Sequence, residues 1–404
     1  MKKNLLFVSP RFLFPADSGG KIRTSQILRG MKGGQFNITL ASPAPADISS
    51  FKNDLNSICD RFVSWPELQV SPFNSITRMR HIFSKLPIPV LTDRSKEGSS
   101  TVQREIQNEM DIIVFDFPHS AIFAPDNIEI PSVMFTHNVE AEIFHRHVDV
   151  AQNPLIKAIW NNQYKKMVHF ENEVLSRFDT IIAVSEKDAD HFKNLDFLNI
   201  ETIPTGTDIH FYSYEKPKEN KTIVFTGSMD WNANIDGINY MIDKIWPIIV
   251  REEPEAKLLV VGRNPPNQLI NKCNNYGYNV EFTGFVDDVR TYAWDSCVYI
   301  IPLRVGSGTR IKAFEAMAMG SPVVSTTLGV EGLEIEPGRH YLNADTETSF
   351  ADSVLTLMRD KTTRENISKN ARNHVVNNFS SDVVAKRFED ICVDTYNKYK
   401  SKIN

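Results

Sequence analysis

The sequence predicts an α/β fold made of two doubly wound, parallel-sheet domains with a cleft between them. Three observations carry this expectation. The chain has 404 residues, more than one hydrophobic core usually serves. Short apolar runs alternate with helical patterns, the rhythm of stacked βαβ units. That rhythm stops once, in the Pro- and Lys-rich stretch "IETIPTGTDIHFYSYEKPKENK" (200–221), and then starts again.

In the first half, "NLLFVS" (4–9), "NITLAS" (37–42), "DIIVFD" (111–116), "PSVMFTH" (131–137) and "DTIIAVS" (179–185) read as strands. Most end in polar or turn-forming residues, and ligands of α/β sheets collect outside such strand ends. After the linker, "KTIVFTG" (221–227), "AKLLVVG" (256–262), "NVEFTGF" (279–285), "VYIIPL" (298–303) and "SPVVST" (321–326) repeat the pattern. The expected domains are residues 1–206 and 207–380. A C-terminal helix, 381–404, is expected to pack back on the first domain, with Ser381 and Asp382 able to cap it.

Composition narrows the function. Apolar residues make up 41% of the chain, enough for two cores, and the formal net charge is −5 with both signs mixed. Nothing in that balance points to nucleic acid as a partner. Cys59, Cys273, Cys297 and Cys392 lie far apart, which argues against a disulfide framework or zinc site and suits a reducing cytoplasm. The apolar run near the start is stopped by Pro10 and Arg11, short of a signal peptide. No run is long enough to span a bilayer, so membrane contact would be peripheral. Two basic, amphipathic stretches, 74–91 and 154–170, offer such contact at the inner face of the membrane, or are solvated helices over a core.

The chemistry concentrates in "GSGTRIKAFEAMAMGSPVV" (306–324). A strand ends, a glycine-rich loop follows, and a helix begins that Gly320 can terminate. Glycines let backbone approach a ligand. A helix N-terminus offers free N–H groups and partial positive charge. Arg310 and Lys312 stand in the first turn, where cations do not suit the helix itself. They point to a negatively charged guest such as a phosphate or diphosphate, or else the loop is an ordinary strand-to-helix turn. The pattern lacks the third glycine of a dinucleotide fingerprint and the G-K-[ST] of a Walker loop. Glu315 lies among Phe314, Ala316, Met317 and Ala318. It either pairs with Lys312 on the surface or, as an acceptor-only group, receives both hydroxyls of a ribose diol.

Here the chain resembles a family. "GSGTRIKAFEAMAMGSPVVSTTLGVEGL" looks like the donor-site motif of family-four retaining glycosyltransferases, which have the two-Rossmann GT-B fold. "FVSPRFLFPADSGGKIRTSQIL", "FTHNVEAEIFHR", "AVSEKDADHF", "IPTGTDIHFYS", "FTGSMDWNANIDGINYMIDKIWP", "LLVVGRNPP" and "FTGFVDDV" are similar to further segments of that family, in the same order. The resemblance implies transfer of a hexose-type sugar from a UDP- or GDP-type nucleotide diphosphate sugar to a glycan or lipid-linked acceptor. It implies retention, no metal and no cofactor beyond that co-substrate. The residues expected to carry catalysis are His137, Arg310 and Glu315. Glu315 would hold ribose, and His137 would touch the transferred sugar. Gly308, Thr309 and Arg310 would hold the diphosphate, with Lys312 adding charge and Gly227 closing the first strand end. Gly284, Phe285 and Val286 would meet the base. Gly19 and Gly20 would let the first domain approach the diphosphate and sugar. Ser307 stands where many relatives keep a sugar-contacting glutamate, and "GSMDWN" (227–232) lacks the usual phosphate-binding Arg and Lys. A nucleotide-sugar epimerase and a non-catalytic nucleotide-sugar-binding subunit are the rival functions.

Other residues have competing readings. His137 could be a plain core or capping histidine. Glu140 could cap the following helix by way of Asn138, or meet ligand. Asp17 and Ser18 make a turn or touch acceptor. "DAD" (188–190) resembles a metal-binding D-x-D by letters, but acids at a helix start already suit the dipole.

Overall fold

The computed structural model describes residues 2–67, 84–306 and 310–403. The chain divides into two units, Met1–Gly206 with Val384–Asn404, and Thr207–Val383. Of the amphipathic stretch 74–91, residues 74–83 lie outside the described residues.

The first unit is built on a seven-stranded parallel sheet: β1 (Lys3–Val8), β2 (Phe36–Ala44), β3 (Arg61–Pro66), β4 (Ile112–Asp116), β5 (Ser132–Phe135), β6 (Thr180–Ala183) and β7 (Ile200–Thr202). Their order is β3-β2-β1-β4-β5-β6-β7. Both faces are covered, so strand residues enter two cores in turn: Leu5 and Phe7 one, Leu6 and Val8 the other. The winding reverses between β1 and β4, which makes their C-terminal ends a ligand-binding switch point.

The two strands absent from the sequence expectation are β3 and β7. Both are edge strands. β3 is half-exposed and ends in a proline, and β7 has three residues, none fully buried. Neither produces the apolar run by which the inner strands are read. β7 also moves the start of the supposed linker, 200–221, into the sheet.

The last helix, Ser381–Ile403, closes this unit. Its first turn is capped by Ser380, whose Oγ accepts from the Val383 N–H at 3.3 Å, rather than by Ser381 or Asp382. Phe388 is fully buried and packs on Phe7 and Phe135, with ring centroids 6.4 and 5.2 Å away. Phe388→Ala is expected to cost about 3–5 kcal/mol as a large-to-small core change. For a unit of this size that lowers the apparent Tm by roughly 6–20 °C in a thermal melt. A drop under about 2 °C would contradict this packing.

The second unit carries β8 (Thr222–Thr226), β9 (Lys257–Val261), β10 (Val280–Gly284), β11 (Val298–Ile301), β12 (Val323–Ser325) and β13 (Leu342–Asn343). They form a parallel sheet in the order β10-β9-β8-β11-β12-β13. Its switch point lies between β8 and β11, where Gly227 and the loop after Ile301 emerge. β13, two residues long, was not foreseen. Cys59, Cys273, Cys297 and Cys392 are all free and buried. Burial raises each thiol's pKa, so none is a ready nucleophile. Among the described residues, no helix is long and apolar enough to cross a membrane.

Candidate active site

In the second unit the loop after β11 leads to the helix Ile311–Met319, which Gly320 ends in the left-handed region at φ +82°. Ser307, Gly308 and Thr309 lie outside the described residues. Arg310 holds the N-cap position, its side chain makes no capping bond, and the first turn has no acid. Its Nη2 donates to the Gly306 carbonyl at 2.9 Å. Its buried Nε has no hydrogen-bond partner among the described residues.

Lys312 turns back over β8. Its Nζ sits 4.4 Å from the centre of the Phe225 ring and directly against Gly227, where a Cβ would overlap it. A side chain at 227 would push the ammonium from this position. The surface pair with Glu315 does not form: no ion pair joins Arg310 or Lys312 to any described residue. Burial pushes the Lys312 ammonium down to about 8; Glu315 opposes the shift and Arg310 adds to it. Two cations thus crowd one helix N-terminus whose first turn carries no acid.

One turn further along, Glu315 Oε1 accepts a hydrogen bond from the Tyr212 hydroxyl at 2.8 Å. Burial raises the carboxyl's pKa, while Tyr212 and Lys312 hold it back. Burial and the Glu315 charge raise the Tyr212 phenol well above its usual range. Tyr212 was not foreseen. It lies 103 residues from Glu315, in the stretch taken as linker, and no local pattern pairs the two. β10 ends at Gly284, with φ +69°, and leaves Phe285 73% exposed beside Val286. This strand end is separated from Gly227 only by β9. At the end of β9, Arg263 is taken up by Asp230, whose Oδ2 accepts from its Nε at 2.8 Å.

In the first unit Gly19 and Gly20 start the helix Gly19–Met31. Space is open at Gly19, whereas a Cβ at Gly20 would fall 2.6 Å from the Phe117 ring. Phe117 has φ +65° and stacks on His137, centroids 3.8 Å apart. His137 is 3% exposed and engaged on both nitrogens. Nε2 meets Asp116 Oδ1 at 2.6 Å, and Nδ1 faces Arg23 Nη1 at 3.4 Å. Burial lowers its pKa against the pull of Asp116, and the Asp116 carboxylate accepts from Nε2–H. Asp116 also accepts from Ser9 and Thr24. Its position closing β4 was the one readable sign of it. The Arg23 guanidinium reaches the Thr205 hydroxyl, and burial lowers its pKa to about 10.

The Glu140 reading needs correction. Val139 is the N-cap of the helix Glu140–Val150, and the capping carboxylate is Glu171, which accepts from the N–H groups of Glu140 and Ala141 at 2.9 and 3.2 Å. The "DAD" acids open a helix capped by Ser185. No group of three metal-ligating side chains occurs among the described residues. Asp17 pairs with Lys21 at 3.1 Å in the turn before Gly19.

The two Rossmann-like parallel-sheet units have the fold of GT-B proteins. Residues 220–360 match the family described as "Glycosyl transferases group 1". A Klebsiella pneumoniae relative, an uncharacterized 44.6 kDa protein in the cps region, is 21% identical over 394 residues, 94% of this chain and 97% of its own length. Phosphatidyl-myo-inositol mannosyltransferase of Mycobacterium tuberculosis H37Rv is 27% identical over 198 residues, 46% of this chain and 51% of that enzyme. Among solved structures, Anabaena HepE in complex with UDP has a TM-score of 0.61 at 15% identity, covering 96% of this chain and 99% of its own. TarM gives 0.64 at 12% identity, covering 97% and 99%. At these identities the structures speak to the fold alone.

Proposed function

We propose that this chain is a glycosyltransferase that takes its sugar from a nucleotide diphosphate sugar and transfers it, with retention and without metal, to a hydroxyl of a glycan or lipid-linked acceptor. One observation carries the reading: Arg310 and Lys312 converge, unpaired, on a helix N-terminus at the β8/β11 switch point. Such a site stabilises an anion. It would stabilise most strongly the charge that develops on a departing diphosphate. Glu315, one turn on, would receive the ribose hydroxyls while Tyr212 keeps Oε1 oriented. In the transfer the bond from the anomeric carbon to the diphosphate oxygen breaks. A new bond forms from that carbon to the acceptor oxygen, and the acceptor's proton passes to the leaving phosphate oxygen. No protein side chain need take that proton, so the chain's part is positioning and charge stabilisation.

Contact with a membrane surface is supported by the helix Pro154–Leu175. Its first turns expose Leu155, Ile156 and Ile159 beside Lys157. Apolar residues flanked by lysine suit an interface with anionic headgroups.

The test is incubation of the purified chain with UDP- and GDP-sugars, with and without glycan or lipid-linked acceptors, in EDTA. The expected product is a glycoside whose anomeric configuration matches the donor, read by NMR. Isomerised sugar from donor alone would establish the epimerase instead. Nucleotide-sugar binding with no turnover on any acceptor would favour the non-catalytic subunit.

A further inference from the structure

A second group of titratable side chains lies at the β1/β4 switch point of the first unit, and the proposed transfer step does not use it. His119 sits in the turn Pro118–Phe123 that follows β4 and is 7% exposed. Its Nδ1 lies 3.8 Å from Asp93 Oδ2 and its Nε2 3.6 Å from Glu140 Oε2. Both distances are too long for hydrogen bonds, and the buried Nε2 has no partner among the described residues. Glu140 is 8% exposed. It is relieved of capping its own helix, because Glu171 takes those N–H groups. Arg11, in the loop after β1, is exposed and lies close enough to act on all three by charge, yet pairs with none of them.

Three chain segments thus bring together buried His119, buried Glu140 and half-buried Asp93, and leave His119 Nε2 unbonded among the described residues. Each unpaired buried group costs about 1–3 kcal/mol, and such costs are tolerated where a ligand makes the missing bonds. Burial moves every group toward its neutral form: His119 down to about 4, Asp93 up to about 6, Glu140 up to about 7. The ring therefore offers one N–H and one lone pair, and each carboxyl group offers acceptor oxygens. An oxygen about 2.8 Å from both His119 Nε2 and Glu140 Oε2 fits at the apex of the triangle they form. Asp93 Oδ2 lies by the ring's other nitrogen, on the far side from that oxygen. A hydroxyl, which both donates and accepts, suits the place between Nε2 and Glu140. An anion does not, since the carboxyl groups outnumber Arg11.

We infer that His119 and Glu140, with Asp93 on the ring's other nitrogen, bind a hydroxyl of a neutral sugar, and that this sugar is the acceptor of the transfer. The second clause rests on the proposed function; the binding does not.

The probes are methyl hexosides at millimolar concentration, followed on the full-length chain by saturation-transfer NMR. Hexuronates and hexose 6-phosphates serve as charged counterparts. Wild type is expected to bind at least one methyl hexoside more tightly than its charged counterpart. Glu140→Gln, close in shape, and His119→Ala should each weaken that binding at least fivefold. Affinity for UDP or GDP, measured by calorimetry, should change less than twofold, and the melting curve of Glu140→Gln should stay close to wild type. Three results would overturn the inference: no hexoside bound by wild type, undiminished binding in both variants, or preference for the charged sugars. An active transferase whose acceptor KM is unmoved by both variants would remove this site and leave the transferase reading intact. Hexoside binding that follows the variants in a chain without transfer activity would keep the site and remove that reading.

Discussion

Glu315→Ala is expected to weaken nucleoside diphosphate binding by roughly 10–150-fold and to reduce transfer at least as much. The magnitude follows from the bonds lost. A hydroxyl donating to a carboxylate contributes about 1.5–3 kcal/mol, and about 1.4 kcal/mol is tenfold in Kd. The same substitution has a structural cost, and the two must be separated. It removes the acceptor of the Tyr212 hydroxyl, which is buried enough for that loss to cost about 1–3 kcal/mol. Part of that cost is offset, because the carboxylate is itself desolvated and its pKa is raised. Tyr212→Phe in the Glu315→Ala background removes the orphaned hydroxyl and should recover most of the lost stability. It should recover none of the lost binding. Calorimetry with UDP and GDP, beside thermal melts of the single and double variants, reads both quantities. If stability falls while Kd moves less than twofold, the carboxylate serves only to hold Tyr212, and the ribose assignment is wrong.

The parts of this fold that could be read from the sequence are those that obey a local rule. Buried inner strands such as "LLVV" (258–261) are continuous apolar runs because both faces of a parallel sheet are covered. Edge strands escape that rule, which is why β3, β7 and β13 were missed. The candidate site divides the same way. Gly227, Gly284, Arg310, Lys312 and Glu315 stand at strand ends or in one helical turn, so their grouping could be anticipated from chain order. Tyr212 on Glu315, Asp116 on His137 and Glu171 on the Glu140 helix are contacts between distant segments, and nothing local encodes them. His137 shows the limit most clearly. Its place after β5 marked it as a site residue, yet the fold has already used both ring nitrogens, on Asp116 and Arg23. Any role toward a sugar would have to come from its backbone or from rearrangement of that pair.

Lys312→Met is expected to weaken UDP or GDP binding about tenfold or more at pH 7 and to abolish a pH dependence that wild type shows. In the ligand-free chain the ammonium titrates at about 8, below the 10.5 of an unburdened lysine. Between those values the folded chain binds fewer protons than the unfolded one. Lysine's own contribution to stability therefore rises with pH through that window and is at its worst below about 8. A diphosphate reverses the balance. Its charge favours the ammonium and restores the proton, so binding takes up a proton once the pH exceeds about 8. Wild-type Kd should be nearly flat from pH 6.5 to 7.5 and then weaken by up to tenfold per pH unit up to the pKa of the bound state. Arg310 keeps its charge throughout, so Arg310→Ala should lower affinity and keep the slope, its onset moved to higher pH because Arg310 helps depress the ammonium. Calorimetry in buffers of different ionisation heat adds an independent count of the proton taken up near pH 8.5. A wild-type Kd that stays constant to pH 9.5, or a slope that survives in Lys312→Met, would show that this ammonium does not face the phosphates. The cradle at the β8/β11 switch point would then rest on Arg310 and the helix N–H groups alone.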